Sequence, residues 1–95
     1  MTTMGGREFA GAMLQDVRQI KAARSLLGWE QHLLAKRSGV AISTIRRLER
    51  LNGPMGAHFE TISKLQRALK SAGVVLLTEP SIGVCLKVFD RGISR

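Results

Sequence analysis

The sequence predicts a mainly α-helical domain of four helices that ends in a β-hairpin or a single β-strand. Apolar residues recur at helical spacing through most of the chain, and glycines stand where these periodic segments stop. Near the C-terminal end, β-branched and apolar runs replace the helical period. The 95 residues can enclose one hydrophobic core. Because only 4% of the residues are aromatic, Leu, Ile, Val, Ala and Met must build that core, a mix that favours helices.

The pattern divides the chain into three segments. Residues 1–11 are rich in glycine and lack a sustained period, which predicts a flexible N-terminal arm. Residues 12–77 carry the predicted helices and form the main domain. Residues 78–95 hold the rest of the strand or hairpin and a tail, and we interpret them as a dimerisation element.

The first two helices are bounded by glycines. Apolar spacing predicts a first helix from Met13 to Leu27 that stops at Gly28. A second, short helix fits residues 31–38, and Gly39 then turns the chain.

The third helix, predicted over residues 42–51, has two unlike faces. Ile45 and Leu48 point inward. A polar and cationic face follows at spacings i, i+3, i+4 and i+7, and it consists of Ser43, Arg46, Arg47 and Arg50. Such a helix, preceded by a short helix and a tight turn, suits the major groove of DNA, where arginine binds guanine in bidentate fashion. From charge spacing alone, an ordinary solvated helix face is an equal alternative.

The fourth helix is predicted from about His58 to Ala72, with Phe59 on its inward stripe and Gly73 as its stop. Beyond it, the runs VVLLT and GVCLKVF are separated by EPSIG, whose proline and glycine suit a turn. A hairpin is the simplest interpretation.

The charge balance points to an anionic partner. Fifteen Lys and Arg against seven Asp and Glu give a formal net charge of +8. The cations outside the third helix are interpreted mostly as solubilising charges, some of which reach phosphates: Lys21, Lys36, Arg37, Lys64, Arg67 and Lys70.

The sequence lacks the residue patterns that several other functional classes require. The single cysteine, Cys85, forms no CxxC or Cys/His pattern, so we expect no metal site and no cofactor. No nucleophile, base and acid combination supports catalysis. Because the sequence also lacks a secretory apolar segment and an 18-residue apolar span, we expect a soluble, cytoplasmic protein that does not bind membranes.

The stretch KAARSLLGWEQHLLAKRSGVAISTIRRLER resembles the XRE, lambda-repressor-like helix-turn-helix family of bacteria and phages. The resemblance covers about residues 18–77. Its most specific positions are Gln31, Leu34-Ala35, Gly39-Val40, Ile45 and Leu48-Glu49. It implies that residues 12–77 form a compact lambda-repressor-like bundle, a helix-turn-helix domain that binds double-stranded DNA. The segment from the third helix to the first β run also resembles a bacterial subgroup that ends in a strand.

The resemblance also implies roles for individual residues. Gln31 becomes a phosphate or base contact, Thr44 and Arg46 lie at the groove wall, and the candidates to face base edges are Ile42, Ser43 and Arg47. Relatives commonly have polar residues where this chain has Ala41 and Ile42, so the cap of the third helix is weak. Ile42 is equally an ordinary core residue or a contact to a thymine methyl.

Arg24 and Glu49 each place a charge on an otherwise apolar helical stripe. Because a lone buried charge is very costly, we expect them to pair. The resemblance implies the same ion pair, which would tie the first helix to the third. The alternative is that both side chains reach out to water.

These observations predict a sequence-specific, DNA-binding transcriptional regulator, a repressor that acts as a homodimer on a palindromic operator. Its hairpin would pair with its twin across a two-fold axis, or else pack on the fourth helix. The alternative function is an antitoxin that binds a toxin protein and also its own promoter. RNA binding explains the charge too, but the interleaved aromatic residues are missing.

Overall fold

The computed structural model describes residues 13–87, which form four α-helices followed by a two-stranded antiparallel hairpin. The elements are α1 (Val17–Leu27), α2 (Gln31–Ser38), α3 (Ile42–Leu51), α4 (Phe59–Ser71), β1 (Val74–Leu77) and β2 (Gly83–Leu86). The predicted fold class is confirmed. The predicted N-terminal arm, residues 1–11, lies outside the described residues, as do residues 88–95.

Helix α1 begins at Val17, so the predicted start at Met13 is wrong. Asp16 caps the helix by accepting a hydrogen bond from the backbone N–H of Arg18 at 2.8 Å. The side chain of Gln19 reaches back and accepts from the backbone N–H of Asp16 at 3.2 Å. In this reciprocal capping box, side chains bond backbone N–H groups at the start of the helix, which have no partner within it. The helix therefore begins at Val17.

The residues before α1 are held extended by the loop after α3. The N–H of Val17 donates to the carbonyl of Gly53 at 2.7 Å, and the N–H of Met55 donates to the carbonyl of Gln15 at 2.9 Å. These bonds join segments far apart in sequence, so helical periodicity could not reveal them.

Helices α2 and α3 have the predicted bounds. Gly39 adopts the left-handed conformation, with φ of 80°, and its N–H donates to the carbonyl of Ala35 at 2.9 Å. A residue with a Cβ would be strained there. The turn then buries Val40 and leads directly into α3. The two helices are therefore separated by only three residues.

Helix α4 is one residue shorter at each end than predicted, and the inward placement of Phe59 is wrong. The Phe59 side chain is 70% exposed. Met55 and Ala57 from the preceding loop pack against the core instead. With these two side chains covering the core ahead of the helix, the first residue of α4 that packs against the core is Ile62.

The hairpin packs on the helical core through one face. Val74 and Leu76 of β1 are buried, and β2 lies against α1. The Gln19 side-chain amide donates to the carbonyls of Leu77 and Gly83, both at 3.1 Å, and so ties the end of the hairpin to α1. The predicted segment boundary after residue 77 falls at the end of β1, inside this hairpin.

The core lies where all four helices and β1 meet. Its largest fully buried apolar side chains are Val17, Ile20, Leu34, Ile45, Leu65, Leu69 and Leu76. Since α1 and α2 both pack against α3, the core holds one side of α3 and leaves its other side to solvent.

The cap of α1 predicts a specific pH dependence. Hydrogen bonds from the Arg18 guanidinium and backbone N–H lower the pKa of Asp16 from 3.8 to about 2. The stability that the ionised carboxylate contributes is fully present above the ordinary pKa and is lost as the pH falls towards about 2. In urea unfolding, the free energy of unfolding should fall more steeply over this range for the wild type than for Asp16→Asn, which keeps a capping oxygen but cannot ionise.

Glu30→Gln is the matched control, because Glu30 makes no side-chain capping bond to α2. Its pH profile should follow that of the wild type. Parallel profiles for the wild type and Asp16→Asn would contradict this account of the cap.

Candidate nucleic-acid interface

Helix α3 separates its apolar and cationic residues onto different sides. Ile45 and Leu48 are buried in the core. The residues predicted to form the polar face are all exposed, and they are Ser43, Arg46, Arg47 and Arg50. Within residues 13–87, the three arginines form no ion pair. Their charges are therefore directed into solvent, available to an anionic partner.

Beneath this face, Glu49 receives hydrogen bonds from two other elements. Arg24 Nη2 donates to Glu49 Oε1 at 2.7 Å, and Arg24 Nε donates to Oε2 at 2.8 Å. Gln31 Nε2 donates to Oε1 at 3.0 Å. The Glu49 side chain is 5% exposed and that of Arg24 is 20% exposed, so this bidentate pair is largely removed from water.

Arg24 is itself fixed at both ends of its guanidinium. Nη1 donates to the carbonyl of Trp29 at 2.9 Å, which leaves the other side of the group for Glu49. The hydrogen bonds with Glu49 raise the pKa of Arg24 further above its ordinary value, so the group stays charged. One guanidinium thus links α1, the α1–α2 turn and α3.

The remaining predicted contact residues lie at the beginnings of α2 and α3. Gln31 is half-buried at the first position of α2, where its amide nitrogen binds Glu49. Sequence reasoning assigned Gln31 to DNA and missed this intramolecular bond. The sequence did contain a signal for this bond: Gln31 is a polar residue at the start of α2, and Glu49 was already expected to be a buried carboxylate in need of partners.

Ile42 and Thr44 are both half-buried, whereas Ser43 between them is exposed. Ala41 precedes α3 and provides no side-chain capping bond. The first backbone N–H groups of α3 are therefore left without a capping side chain beside the exposed Ser43. An electropositive helix end and a cationic face consequently occur on the same short helix.

Neither a metal site nor a membrane-spanning helix is found among the described residues. Within residues 13–87, no cluster of His, Cys, Asp and Glu could hold a metal ion. In the same part of the chain, no helix has the length and apolar character needed to cross a bilayer.

Arg24→Ala should destabilise the fold by about 3 kcal/mol, because it leaves the buried Glu49 carboxylate without its cation. Urea unfolding measures this loss, and Arg46→Ala, which removes an exposed arginine, is the matched control. The double substitution Arg24→Met with Glu49→Leu should be much less destabilising than the sum of its single substitutions. Additive effects would contradict the coupling.

Comparison with known proteins identifies the family. The family model for helix-turn-helix proteins matches residues 20–73, more than half of the chain. The match runs from within α1 to the glycine after α4 and includes the turn between α2 and α3. No curated protein matches the chain. The family is one of DNA-binding regulatory domains rather than of enzymes. The chain therefore belongs to the XRE-type helix-turn-helix family of DNA-binding transcriptional regulators.

Proposed function

We propose that this protein is a sequence-specific repressor that binds a palindromic operator as a homodimer, with α3 in the major groove. The observation that carries this proposal is the exposure of Arg46, Arg47 and Arg50 on a helix whose opposite side is anchored in the core. A dimer bound over a promoter would block access to it. Such a regulator works in the cytoplasm, in contact with the chromosome.

The dimensions of α3 suit this role. Its ten residues make a helix about 15 Å long, and the major groove is about 12 Å wide. In helix-turn-helix complexes, the N-terminal part of the second helix contacts base edges. Ser43 is exposed on this part, and Arg47 is exposed about one turn further along. Both are assigned to base edges, with Arg46 at the groove wall. Arg50 lies further along the same face and extends the cationic surface.

Two of the proposed contacts depend on partly buried side chains. Ile42 and Thr44 are half-buried, so each has surface left for DNA. Ile42 suits a thymine methyl, and Thr44 suits a phosphate or sugar at the groove wall. Gln31 lies at the start of α2, and its amide oxygen can accept a hydrogen bond while its nitrogen binds Glu49.

Arg47→Ala should weaken binding to the operator by about 1–3 kcal/mol, and binding to unrelated duplex much less, if Arg47 forms bidentate bonds with a guanine. Fluorescence anisotropy with both duplexes at one fixed salt concentration measures the difference. Lys36→Ala is the charge-matched control, because Lys36 is exposed on α2. It should reduce the two affinities equally, if it reduces them at all.

An equal loss on operator and unrelated duplex for Arg47→Ala would assign Arg47 to a phosphate. Unchanged affinity for both duplexes would contradict the placement of this side of α3 in the groove.

The outer face of the hairpin supports the homodimer. Its inner face packs on the molecule's own core, whereas Val75 and Leu77 are half-buried and Cys85 is exposed on the other side. Among the described residues, the sheet has only two strands, so each strand has an edge with no further strand. Pairing with a second copy would cover this apolar face and these edges.

Val75→Glu should convert a dimer into a monomer while leaving the helical circular dichroism unchanged, since it places a charge in the proposed interface. Analytical ultracentrifugation at micromolar concentration measures the change. Leu26→Glu is the control, because Leu26 is an exposed apolar residue on α1, 47% accessible to solvent.

A wild-type protein that sediments as a monomer at micromolar concentration would contradict the homodimer. The outer face of the hairpin would then be left to an unlike protein, as the antitoxin alternative requires.

A further inference from the structure

A cleft of about 250 Å³ lies between α2 and α4. The two helices pack against each other, and the cleft is open to solvent. Its lining consists of Trp29, Arg37, Ser38, Lys64, Arg67, Ala68, Ser71 and Ala72.

Three of the lining residues are cationic, and none is acidic. Lys64 and Arg67 are one turn apart on α4, so their side chains extend from neighbouring positions on the helix. Arg37 approaches from α2. Within residues 13–87, none of the three forms an ion pair. Like charges brought together in a concave site repel one another, and a bound anion would remove that repulsion.

Arg37 is held in place without a carboxylate. Its guanidinium carbon lies 5.3 Å from the centre of the Trp29 ring, which is a cation–π contact. Trp29 in turn packs against the core. The guanidinium is therefore partly oriented before any ligand arrives, and less side-chain entropy is lost on binding.

Small side chains give the cleft its volume and add hydrogen-bond donors. Ala68 and Ala72 leave space between the helices, and Ser38 and Ser71 each contribute a hydroxyl. The oxygen of Ser38 accepts from the N–H of Val40 at 3.1 Å, so its proton is available to a ligand oxygen.

The cleft is separate from the cationic face of α3. Helix α2 packs against α3 and also against α4. The cleft is lined by residues of α2, of α4 and of the turns beside them, and by no residue of α3. A ligand in the cleft would therefore leave Arg46, Arg47 and Arg50 free.

We propose that this cleft binds a phosphate group. A tetrahedral oxyanion matches two guanidiniums, one ammonium and two hydroxyl donors, because it presents several acceptor oxygens in different directions. The group belongs either to a free phosphorylated molecule or to the backbone of DNA that extends beyond the segment bound by α3.

Inorganic phosphate is the probe for the site itself. Backbone amide NMR spectra of the full chain are recorded during a phosphate titration at constant ionic strength, with chloride as the reference anion. We expect saturable shifts at Ser38, Ser71 and Ala72, and at least an about tenfold loss of affinity in the double variant Lys64→Ala with Arg67→Ala.

Lys36→Ala with Lys87→Ala is the matched control, because it removes the same charge from exposed positions outside the cleft. It should bind phosphate as the wild type does. The absence of saturable shifts in the wild type, or an equal loss in both double variants, would overturn the proposal. Since this titration contains no DNA, its failure would leave the proposed function of α3 untouched.

Two duplexes then distinguish the sources of the phosphate. One spans only the selected operator, and the other carries about one further helical turn at each end. A loss of affinity in the cleft variant on the longer duplex alone would identify the DNA backbone. DNA affinities that equal those of the control variant on both duplexes, together with a positive phosphate titration, would identify a free phosphorylated molecule.

Discussion

The fold depends on a buried carboxylate that three elements must satisfy together. Glu49 lies on the inner side of α3, where an unpaired charge would be very costly. Arg24 from α1 and Gln31 from α2 supply its hydrogen bonds. Since the Arg24 guanidinium also binds the Trp29 carbonyl, it has little freedom to follow Glu49 elsewhere. The orientation of α3 about its own axis is thereby fixed, and so is the direction in which its arginines point.

Apolar packing alone would define that orientation less sharply. Ile45 and Leu48 bury the inner side of α3, but hydrophobic contact is not directional and tolerates small rotations. A bidentate ion pair has a narrower geometry. Contacts to base edges require placement within a fraction of an ångström, so a directional anchor directly beneath the cationic face suits the role proposed for α3.

Much of this architecture could be predicted from the sequence, for local physical reasons. Gly39 marks the turn because a left-handed residue is needed there, and helical spacing gives the bounds of α2 and α3. The pairing of two charges on apolar stripes also follows from elementary electrostatics. The errors arise where distant segments compete for the same space or hydrogen bonds. Hydrogen bonds with the carbonyl of Gly53 and the N–H of Met55 hold the chain before α1 extended. Met55 and Ala57 of the loop before α4 pack against the core, whereas Phe59 does not.

Prediction of the candidate interface from the sequence is limited in the same way, by contacts between distant segments. The exposed face of α3 follows from periodicity, but the bond between Gln31 and Glu49 joins residues 18 positions apart on different helices. The cleft between α2 and α4 cannot be predicted from the sequence either, because Arg37 comes close to Lys64 and Arg67 only when the two helices pack. Charge counting indicates an anionic partner, and the packing decides which cations act together.

The most direct test of the central claim is selection of bound sequences from a random duplex library by the full chain. If α3 reads the major groove from a symmetric dimer, the selected duplexes should converge on a palindrome with half-sites about 34 Å apart, one turn of DNA. Recovery of duplexes with no shared motif, at affinities that depend only on salt, would contradict that claim.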